Sequence, residues 1–382
     1  MILDMFFLFP YSVLMQDHPY PDDTLPDRAH KGRGAVGNPA PRYDRLTGQS
    51  VDDGWAREER DEPPLRTTVL PDTARSLICR NDSPDIPLEQ SINPYKGCEH
   101  GCVYCFARPN HAYLGLSPGL DFETRLFAKF NAPALLDAEL RSPRYRCRPI
   151  AIGTSTDAYQ PVERDLRITR GLWEVLSAFN HPAALVTKSA LVLRDLDILA
   201  DMAARRLVQV GISVTTLDPT VARTLEPRAS APHRRLAAIE ALSRAGVPVV
   251  AMAAPMIPGL TDHELDSILT AARDAGAVGA TYILVRLPHE VKELMRAWLD
   301  THTPNRTGRV LGLIRDCHGG KLYEAEFGRR FTGHGVYADL LRARFHAACR
   351  RLGLNTRNRD SMNLDCTRFA PPPRAGDQLT LF

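Results

Sequence analysis

Two patterns of apolar and polar positions divide the chain, and the change between them falls near Pro87. Before that point the sequence is rich in Asp, Arg, Pro and Gly, with no sustained apolar period. Such a segment buries too little apolar surface to offset the entropy of ordering it. We therefore expect residues 1–87 to form a mostly irregular N-terminal arm. Within it, the short basic run from Lys31 to Ala35 is expected to stay solvated rather than to contact a phosphate.

Beyond Pro87, short apolar or β-branched runs alternate with amphipathic segments of helical length. This alternation predicts βαβ units and a parallel sheet over residues 88–290. Six strands are predicted, at residues 90–94, 149–154, 183–187, 208–214, 247–253 and 281–287. Five helices are predicted between them, at residues 131–141, 165–179, 194–206, 233–245 and 262–275.

The alternation stops after Pro288. Three segments with helical patterns, at residues 290–299, 309–316 and 336–352, follow one another without intervening strands. We therefore expect a helical C-terminal cap over residues 291–356. Residues 357–382, which contain three consecutive prolines from Pro371, predict a flexible tail.

Composition narrows the function only a little. Of the 382 residues, 44% are hydrophobic and 24% are charged, as in ordinary globular proteins. The net charge of +3 excludes a histone-like, strongly basic nucleic-acid binder but leaves the substrate open. The eight cysteines are too few for a disulfide-stapled scaffold of this size, so we expect free thiols in a reducing cytoplasm.

The first residues raise the question of a targeting segment. Residues 1–15 are largely apolar but carry Asp4 and no basic residue. They lack the positive flank and the cleavage site of a secretory signal, and they are too short to span a bilayer. We expect translation to start at Met15. No other run approaches the length of a membrane span, so we expect a soluble, cytoplasmic protein with no membrane partner.

The most specific motif is Cys98-Glu-His-Gly-Cys102-Val-Tyr-Cys105, directly after the first predicted strand. Three thiolates on one tight loop can each bind one iron of a [4Fe-4S] cluster and leave the fourth iron open to a cofactor. Electron-transfer ferredoxins use four cysteines instead. The alternative is a closed zinc site in which His100 or His111 is the fourth ligand.

The triplet and its surroundings resemble a known family. C-x3-C-x-aromatic-C after the first strand of a sixfold β/α pattern is similar to the radical S-adenosylmethionine (SAM) superfamily. The segments Ser91-Ile-Asn-Pro-Tyr-Lys-Gly-Cys98 and Thr156-Asp-Ala-Tyr-Gln-Pro-Val-Glu163 resemble its spore photoproduct lyase-like branch. The resemblance covers about residues 90–288.

This resemblance implies an α/β fold, a partial (β/α)6 TIM-type barrel in which the open iron chelates the amino and carboxylate groups of SAM. An electron from a reductant such as flavodoxin or ferredoxin then cleaves the sulfonium reductively. The resulting 5'-deoxyadenosyl radical abstracts hydrogen from a substrate, which the protein orients and shields. The branch suggests a nucleic acid as that substrate, and it implies no particular catalytic side chain here.

Polar residues follow several predicted strands, at the edge where the chemistry of β/α barrels collects. Ser155, Thr156 and Asp157 come after the second strand, and hydroxyl and carboxylate groups there suit the ammonium or ribose of SAM. Lys188, after the third strand, suits the SAM carboxylate. The alternative for each residue is a capping or turn role.

The resemblance also implies cofactor roles for three residues, and two departures from it argue against one reaction. Lys188 and Ser213 match cofactor-binding positions of the branch, and Tyr104 matches a residue beside the cluster and adenine. The lyase has a cysteine hydrogen donor at the end of its second strand, but residues 151–157 contain none. Phe106 replaces the tyrosine that follows the third cluster cysteine. We therefore do not expect the hydrogen relay of spore photoproduct lyase.

Two other functions are compatible with the same residues. One is a zinc-stabilised nucleic-acid-binding module without catalysis. The other is a radical SAM enzyme for a small metabolite, which would have an enclosed apolar barrel mouth rather than an open basic cleft.

Four further residues lie close to the motifs and are either substrate contacts or structural residues, namely Arg108, His111, Tyr113 and Glu163.

Overall fold

The secondary structure of this computed structural model is described for residues 29–43, 65–356 and 364–373. The expected start at Met15 lies outside these ranges, as do residues 357–363 and 374–382 of the predicted tail. The strands are β1 (Thr68–Pro71), β2 (Cys79–Arg80), β3 (Gln90–Ile92), β4 (Tyr95–Lys96), β5 (Arg125–Ala128), β6 (Ile150–Ile152), β7 (Ala183–Thr187), β8 (Val208–Ser213), β9 (Val249–Met256) and β10 (Gly279–Leu284).

The α-helices of the described ranges are α1 (Asp121–Thr124), α2 (Ala132–Leu140), α3 (Glu163–Leu166), α4 (Ile168–Ala178), α5 (Leu196–Ala204), α6 (Pro219–Leu225), α7 (Pro232–Arg244), α8 (Leu265–Asp274), α9 (Val291–His302), α10 (Thr307–Cys317) and α11 (Val336–Leu352). Short 3-10 helices lie at Arg108–Leu114, Ala190–Asp195, Asp262–Glu264 and Pro304–Arg306.

Six parallel strands form the larger sheet in the order β10-β9-β8-β7-β6-β3, and β2 adds an antiparallel edge. Each of the six lies where the sequence predicts a strand, with its ends moved by a few residues. In the part of the chain that the structure describes, β10 and β2 are the two edges, so the sheet is open. The predicted partial (β/α)6 barrel is confirmed.

Helices cover the outer face of this sheet. Leu172, Trp173 and Leu176 of α4 are fully buried in the core, and so are Ile268 and Leu269 of α8. The strands are near-continuous apolar runs because a parallel sheet with both faces covered leaves little surface for polar side chains. Parallel strands also bring all their carboxyl ends to one edge, so the loops after β6, β7 and β8 meet there.

A second, three-stranded sheet in the order β1-β5-β4 lies beside the cysteine loop. β1 pairs in parallel with β5, and Tyr95 of β4 pairs with Ala128 of β5. The sequence does not predict this sheet. Its strands are two to four residues long and β1 is mostly exposed, so they carry no alternation of apolar and polar positions that could identify them.

The helices α9, α10 and α11 confirm the three helical segments predicted after Pro288. Apolar side chains of α9 and α10 pack in one buried cluster with Cys102, Val103 and Tyr104 of the cysteine loop. The C-terminal helices α9 and α10 therefore pack against the cysteine loop and stabilise it. None of the helices in the described ranges is both long and apolar enough to cross a bilayer.

Residues 364–373 of the predicted tail pack against the barrel. The Phe369 ring stacks 6.3 Å from the Phe179 ring and meets the His181 ring edge-on. The Ala370 amide donates to the Phe179 carbonyl at 3.0 Å, a normal hydrogen-bond length. Contacts of the partly buried Phe369 ring thus anchor a segment whose composition alone indicates flexibility.

The expectation that the basic run from Lys31 to Ala35 is solvated is wrong for most of that run. Lys31 is exposed, but Arg33 is only 7% exposed and Ala35 only 1%. The physical reason is that the Arg33 guanidinium finds protein acceptors: it donates to the Glu123 carbonyl at 2.9 Å and to the Leu65 carbonyl at 2.6 Å. Its partners are therefore not phosphate oxygens.

Candidate cluster and cofactor site

Cys98, Cys102 and Cys105 lie on the loop that follows β4 and precedes the 3-10 helix from Arg108. None of the three is in a disulfide, and burial raises the pKa of each thiol above its ordinary value. The loop turns at Gly101, which has a positive φ of 66°. A Cβ there would lie 2.7 Å from a Glu123 carboxylate oxygen, so only glycine fits.

Each residue between the first two cysteines has a partner outside the loop. The Glu99 carboxylate accepts hydrogen bonds from the Thr67 hydroxyl at 2.5 Å and from Arg228 at 2.9 Å. Nδ1 of His100 lies 3.3 Å from the Asp157 carboxylate. The Gly101 carbonyl accepts from Arg108 at 3.0 Å. The protein itself therefore holds the loop in shape.

Arg108, a candidate substrate contact in the sequence, is fully buried and structural. Its guanidinium donates to the carbonyls of Cys102 at 2.8 Å and Gly101 at 3.0 Å, and to two carbonyls after the 3-10 helix. The carboxylate of Glu123, also fully buried, pairs with it at 2.5 Å. Because five planar donors can satisfy several carbonyls at once, arginine suits this position and lysine does not.

The two histidines that could complete a zinc site have other partners. His100 contacts Asp157, and Nε2 of His111 lies 3.0 Å from the Arg125 carbonyl. Burial lowers the pKa of His111 to about 4. Within the described residues, no three His, Cys, Asp or Glu side chains converge on one point, as a single zinc ion requires. A cluster differs, because each thiolate binds a different iron.

Lys188, directly after β7, reaches across the carboxyl ends of the neighbouring strands. Its Nζ donates to Oγ of Ser213 at 2.5 Å and to the Ala254 carbonyl at 3.0 Å. The ammonium lies 5.8 Å from the centre of the Tyr104 ring. The structure thus brings together three residues that the sequence singles out separately, namely Tyr104, Lys188 and Ser213.

Glu226, which the sequence analysis missed, joins these residues. Its fully buried carboxylate accepts hydrogen bonds from Tyr104 and, at 2.7 Å, from Thr215, and it lies 3.4 Å from Nζ of Lys188. Arg235, also missed, pairs with its other oxygen. Burial opposes ionisation, but Arg235 and Lys188 outweigh it and hold the pKa of Glu226 well below its usual range.

No local signal distinguishes Glu226 or Arg235 from surface residues. Glu226 follows α6 and Arg235 lies in the first turns of α7, both in segments with many charged residues. Their burial depends on α6 and α7 folding back over the end of β8. Only the tertiary structure reveals that.

Of the three candidate residues in the loop after β6, two have structural side chains and one has an available hydroxyl. Asp157 accepts from the Lys188 amide and the Thr187 hydroxyl, each at 2.7 Å, and Thr156 donates to the Tyr95 carbonyl. Burial disfavours the charged form of Asp157, but His100 outweighs it, so the pKa of Asp157 lies below its usual value. The Ser155 hydroxyl makes no hydrogen bond within the described residues.

Two other sequence candidates lie away from this site. Glu163 is fully buried and pairs with Tyr95 and Arg194, which makes it structural. Tyr113 is 71% exposed and stacks near Tyr43 on the surface.

Known proteins with similar sequences decide the family. The model of the radical SAM superfamily matches residues 92–272. An uncharacterized protein of Mycobacterium tuberculosis is 35% identical over 282 residues, which cover 71% of this chain and 83% of that protein. The chain belongs to the radical SAM superfamily. An uncharacterized protein of Methanocaldococcus jannaschii is 27% identical over 173 residues. The aligned region covers 45% of this radical SAM chain and 62% of that protein.

Solved structures agree with the fold of this radical SAM protein. Spore photoproduct lyase complexed with a dinucleoside spore photoproduct has a TM-score of 0.55 and 17% identity, covering 78% of this chain and 85% of its own. A double mutant of the same lyase with bound AdoMet and the dinucleoside has a TM-score of 0.51 and 17% identity, covering 78% and 84%. At this identity the likeness shows the fold alone.

Family membership makes the chain a radical SAM enzyme, for which SAM, an iron-sulfur cluster and an external reductant are required. The alternative of a zinc-stabilised binding module without catalysis is therefore wrong. The residues also fit the family's cofactors: three free thiols, two of them buried, lie on one loop, and a network of donors with one lysine lies beside them at the strand ends.

We expect the buried charge of Glu226 to stabilise the protein above pH 4.5, its ordinary pKa, and this stabilisation to be lost as the pH falls below that value. Glu226→Gln removes the charge and leaves Arg235 and Lys188 less compensated, which costs about 3–5 kcal/mol. Urea unfolding of the protein without cofactors, followed from pH 7 down to about pH 2, measures both effects.

The matched control is Glu240→Gln on the partly exposed face of α7, where Arg244 is the one ion-pair partner of the Glu240 carboxylate among the described residues. Glu240→Gln is expected to change stability by less than about 1 kcal/mol. If Glu226→Gln were as stable as this control and kept the acid sensitivity of the wild type, the carboxylate would not have the role assigned to it.

Proposed function

We propose that this radical SAM enzyme holds a [4Fe-4S] cluster on Cys98, Cys102 and Cys105, cleaves SAM reductively, and abstracts hydrogen from a nucleic acid. One observation carries the proposal: three free thiols, two buried and one half-buried, share a preformed loop next to the Lys188 network at the carboxyl edge of the parallel sheet. That edge is where β/α barrels collect their chemistry.

The thiols suit an iron-sulfur cluster for an electrostatic reason. Burial raises the pKa of each thiol, so the thiolate form needs a positive group nearby. Ferric and ferrous ions provide that charge, and three ligands leave one iron of a [4Fe-4S] cluster free for SAM. When bound, the cluster supplies the electron for reductive cleavage of the SAM sulfonium, received from a reductant such as flavodoxin or ferredoxin.

The strand-end network supplies the groups that a SAM zwitterion requires. We assign Lys188 and Ser213 to the carboxylate, because an ammonium and a hydroxyl are both donors. Ser155, whose hydroxyl has no other partner in the described residues, is assigned to the ammonium and ribose side, and Thr156 and Asp157 hold in place the loop that carries it. Tyr104, whose hydroxyl donates to Glu226, is assigned to the adenine side.

A stack of aromatic and guanidinium groups supports a nucleic acid as the substrate. Phe106, next to Cys105, is 45% exposed, and the Arg286 guanidinium lies 5.1 Å from its ring. Arg286 also lies 4.9 Å from the Phe331 ring, and Arg330 lies between the rings of Phe331 and Phe327 at 4.8 and 4.7 Å. Exposed aromatic rings next to arginines stack bases of single strands.

Arg286 is the charge in this stack that favours an anionic partner, because Arg330 is paired with Asp85 at 2.6 Å. Arg286 makes no ion pair with a described residue, and its buried Nε has no hydrogen-bond acceptor. A cavity of about 380 Å³ beside the loop after β7 is lined by two serine hydroxyls and three arginines, of which Arg194 is already paired with Glu163 and Asp195. These lining residues are Arg164, Ser189, Arg194, Ser230 and Arg234. Such a combination suits phosphates on a macromolecule better than an apolar small metabolite.

Anaerobic reconstitution of the wild type and of Cys102→Ala tests the cluster. We expect the wild type to bind about four irons, to give a reduced-cluster resonance that shifts on adding SAM, and to release 5'-deoxyadenosine. Cys102→Ala is expected to lose all three properties, whereas Cys79→Ala, at an exposed cysteine outside the loop, keeps them. A colourless protein with one zinc, or a cluster whose resonance does not change on adding SAM, would overturn the proposal.

Lys188→Met tests the assigned SAM carboxylate contact. Loss of a hydrogen bond to a charged group costs about 1.5–3 kcal/mol, so we expect SAM to bind at least about tenfold more weakly while the iron content stays normal. Titration of the reduced-cluster resonance with SAM measures this. Lys292→Met, at an exposed lysine of α9, is the control. Equal SAM affinities in the two variants would remove Lys188 from the site.

Phe106→Ala tests the base-stacking surface. We expect it to weaken binding of a labelled single-stranded oligonucleotide by about 1–3 kcal/mol, measured by fluorescence anisotropy. Phe130→Ala, at another exposed phenylalanine, is the control and is expected to bind normally. If the wild type bound neither single nor double strands at low salt, the nucleic-acid part of the proposal would be wrong, and the small-metabolite alternative would take its place.

A further inference from the structure

Five residues of the N-terminal arm, 33–37, are buried against the cluster loop although their surroundings in sequence are polar. We call residues 33–37 the arm segment. Ala35 packs in the same apolar cluster as Cys102 and Val103, and Val36 is 5% exposed. The arm segment is therefore part of the wall around the cysteines.

The arm segment and the cluster loop share one carboxylate. The amides of Gly34 and Ala35 donate to the two oxygens of Glu123 at 2.9 and 2.8 Å. The same carboxylate pairs with Arg108, which holds the Cys102 carbonyl. Undocking the arm segment would take two donors from a fully buried carboxylate, and this has a substantial energetic cost.

Gly34 brings the two backbones into direct contact. A Cβ at position 34 would lie 1.8 Å from the Gly101 carbonyl oxygen, a distance at which the arm segment cannot stay docked. The backbone of Gly34 does not have a positive φ, so the close approach, and not the backbone conformation, requires glycine here.

A second connection reaches the residue after Cys98. The Arg33 guanidinium donates to the Thr67 hydroxyl at 3.2 Å, and that hydroxyl donates to Glu99 at 2.5 Å. The arm then continues along the end of the loop region, where Asn38 and Asp121 exchange two hydrogen bonds. The arm thus contacts Gly101 directly and reaches Glu99 through Thr67. Glu99 and Gly101 are two of the three residues between the first two cysteines.

We propose that the arm segment is the outer wall of the cluster site and that arm docking and cluster binding stabilise each other. Both require the same conformation of residues 99–101, so each favours the state that the other needs. By linkage, the factor by which docking strengthens cluster retention equals the factor by which the cluster strengthens docking. Arg33 and Gly34 are positioning residues in this scheme, which rests on the cluster proposed above.

Gly34→Ala in the full chain tests the first half of the coupling. We expect it to lose iron to a chelator about tenfold faster than the wild type under anaerobic conditions, followed by cluster absorbance. Lys31→Ala, in the same arm but exposed, is the control and is expected to match the wild type. Arg33→Gln gives a second variant without a steric collision, and its melting temperature without cofactors verifies folding.

Hydrogen exchange of the wild type tests the second half. We expect the amides of Gly34 and Ala35 to exchange more slowly in the cluster-loaded protein than in the protein without cluster. The outer helix α5 is the internal control and is expected to exchange equally in both forms. A purely structural arm would give equal exchange at residues 34 and 35 in both forms.

The outcomes separate the two proposals. A wild type that takes up no iron overturns the proposed function and the coupling together. A wild type with a normal cluster, combined with unchanged iron loss in folded Gly34→Ala and Arg33→Gln, overturns the coupling alone. Equal exchange of the arm amides with and without the cluster has the same meaning.

Discussion

The rest of the structure depends on the buried ion pair between Arg108 and Glu123. Three cysteines can lie together out of water only if the loop that carries them is held by something other than solvent. Arg108 does this through four main-chain carbonyls, and Glu123 compensates its charge. A buried pair of this kind gains little stability by itself, because desolvation offsets the attraction, but it defines one geometry when all its donors are used.

A second buried pair organises the cofactor side in the same way. Glu226 and Arg235 fix each other between the ends of β8 and β9, and from there Glu226 holds Tyr104, Thr215 and Lys188. The donors for an anionic group are therefore oriented before any ligand arrives. Preorganised dipoles of this kind are a general way in which enzymes reduce the cost of binding and of charge development.

Both ion pairs contact the cysteine loop, and other parts of the chain pack against the loop on two sides. The Cys102–Tyr104 stretch packs on α9 and α10 from one side, and the arm segment covers Glu99 and Gly101 from the other. Phe106 of the same loop is exposed, so the loop is not covered on every side. Radical chemistry requires this combination, because reactive groups must be shielded from water on every side except the one that the substrate fills.

Sequence by itself determined the six β/α units, the three C-terminal helices and the cysteine triplet, because periodicity and short motifs are local properties. It also located Lys188 and Ser213, which lie at strand ends that the pattern predicts. It could not identify Glu226, Arg235, the small β1-β5-β4 sheet or the docking of Arg33. Arg33 and Glu123 are 90 residues apart, and Tyr104 and Glu226 are 122 apart. Whether such charged residues are solvated or buried depends on what the fold places opposite them, and only the tertiary structure decides that.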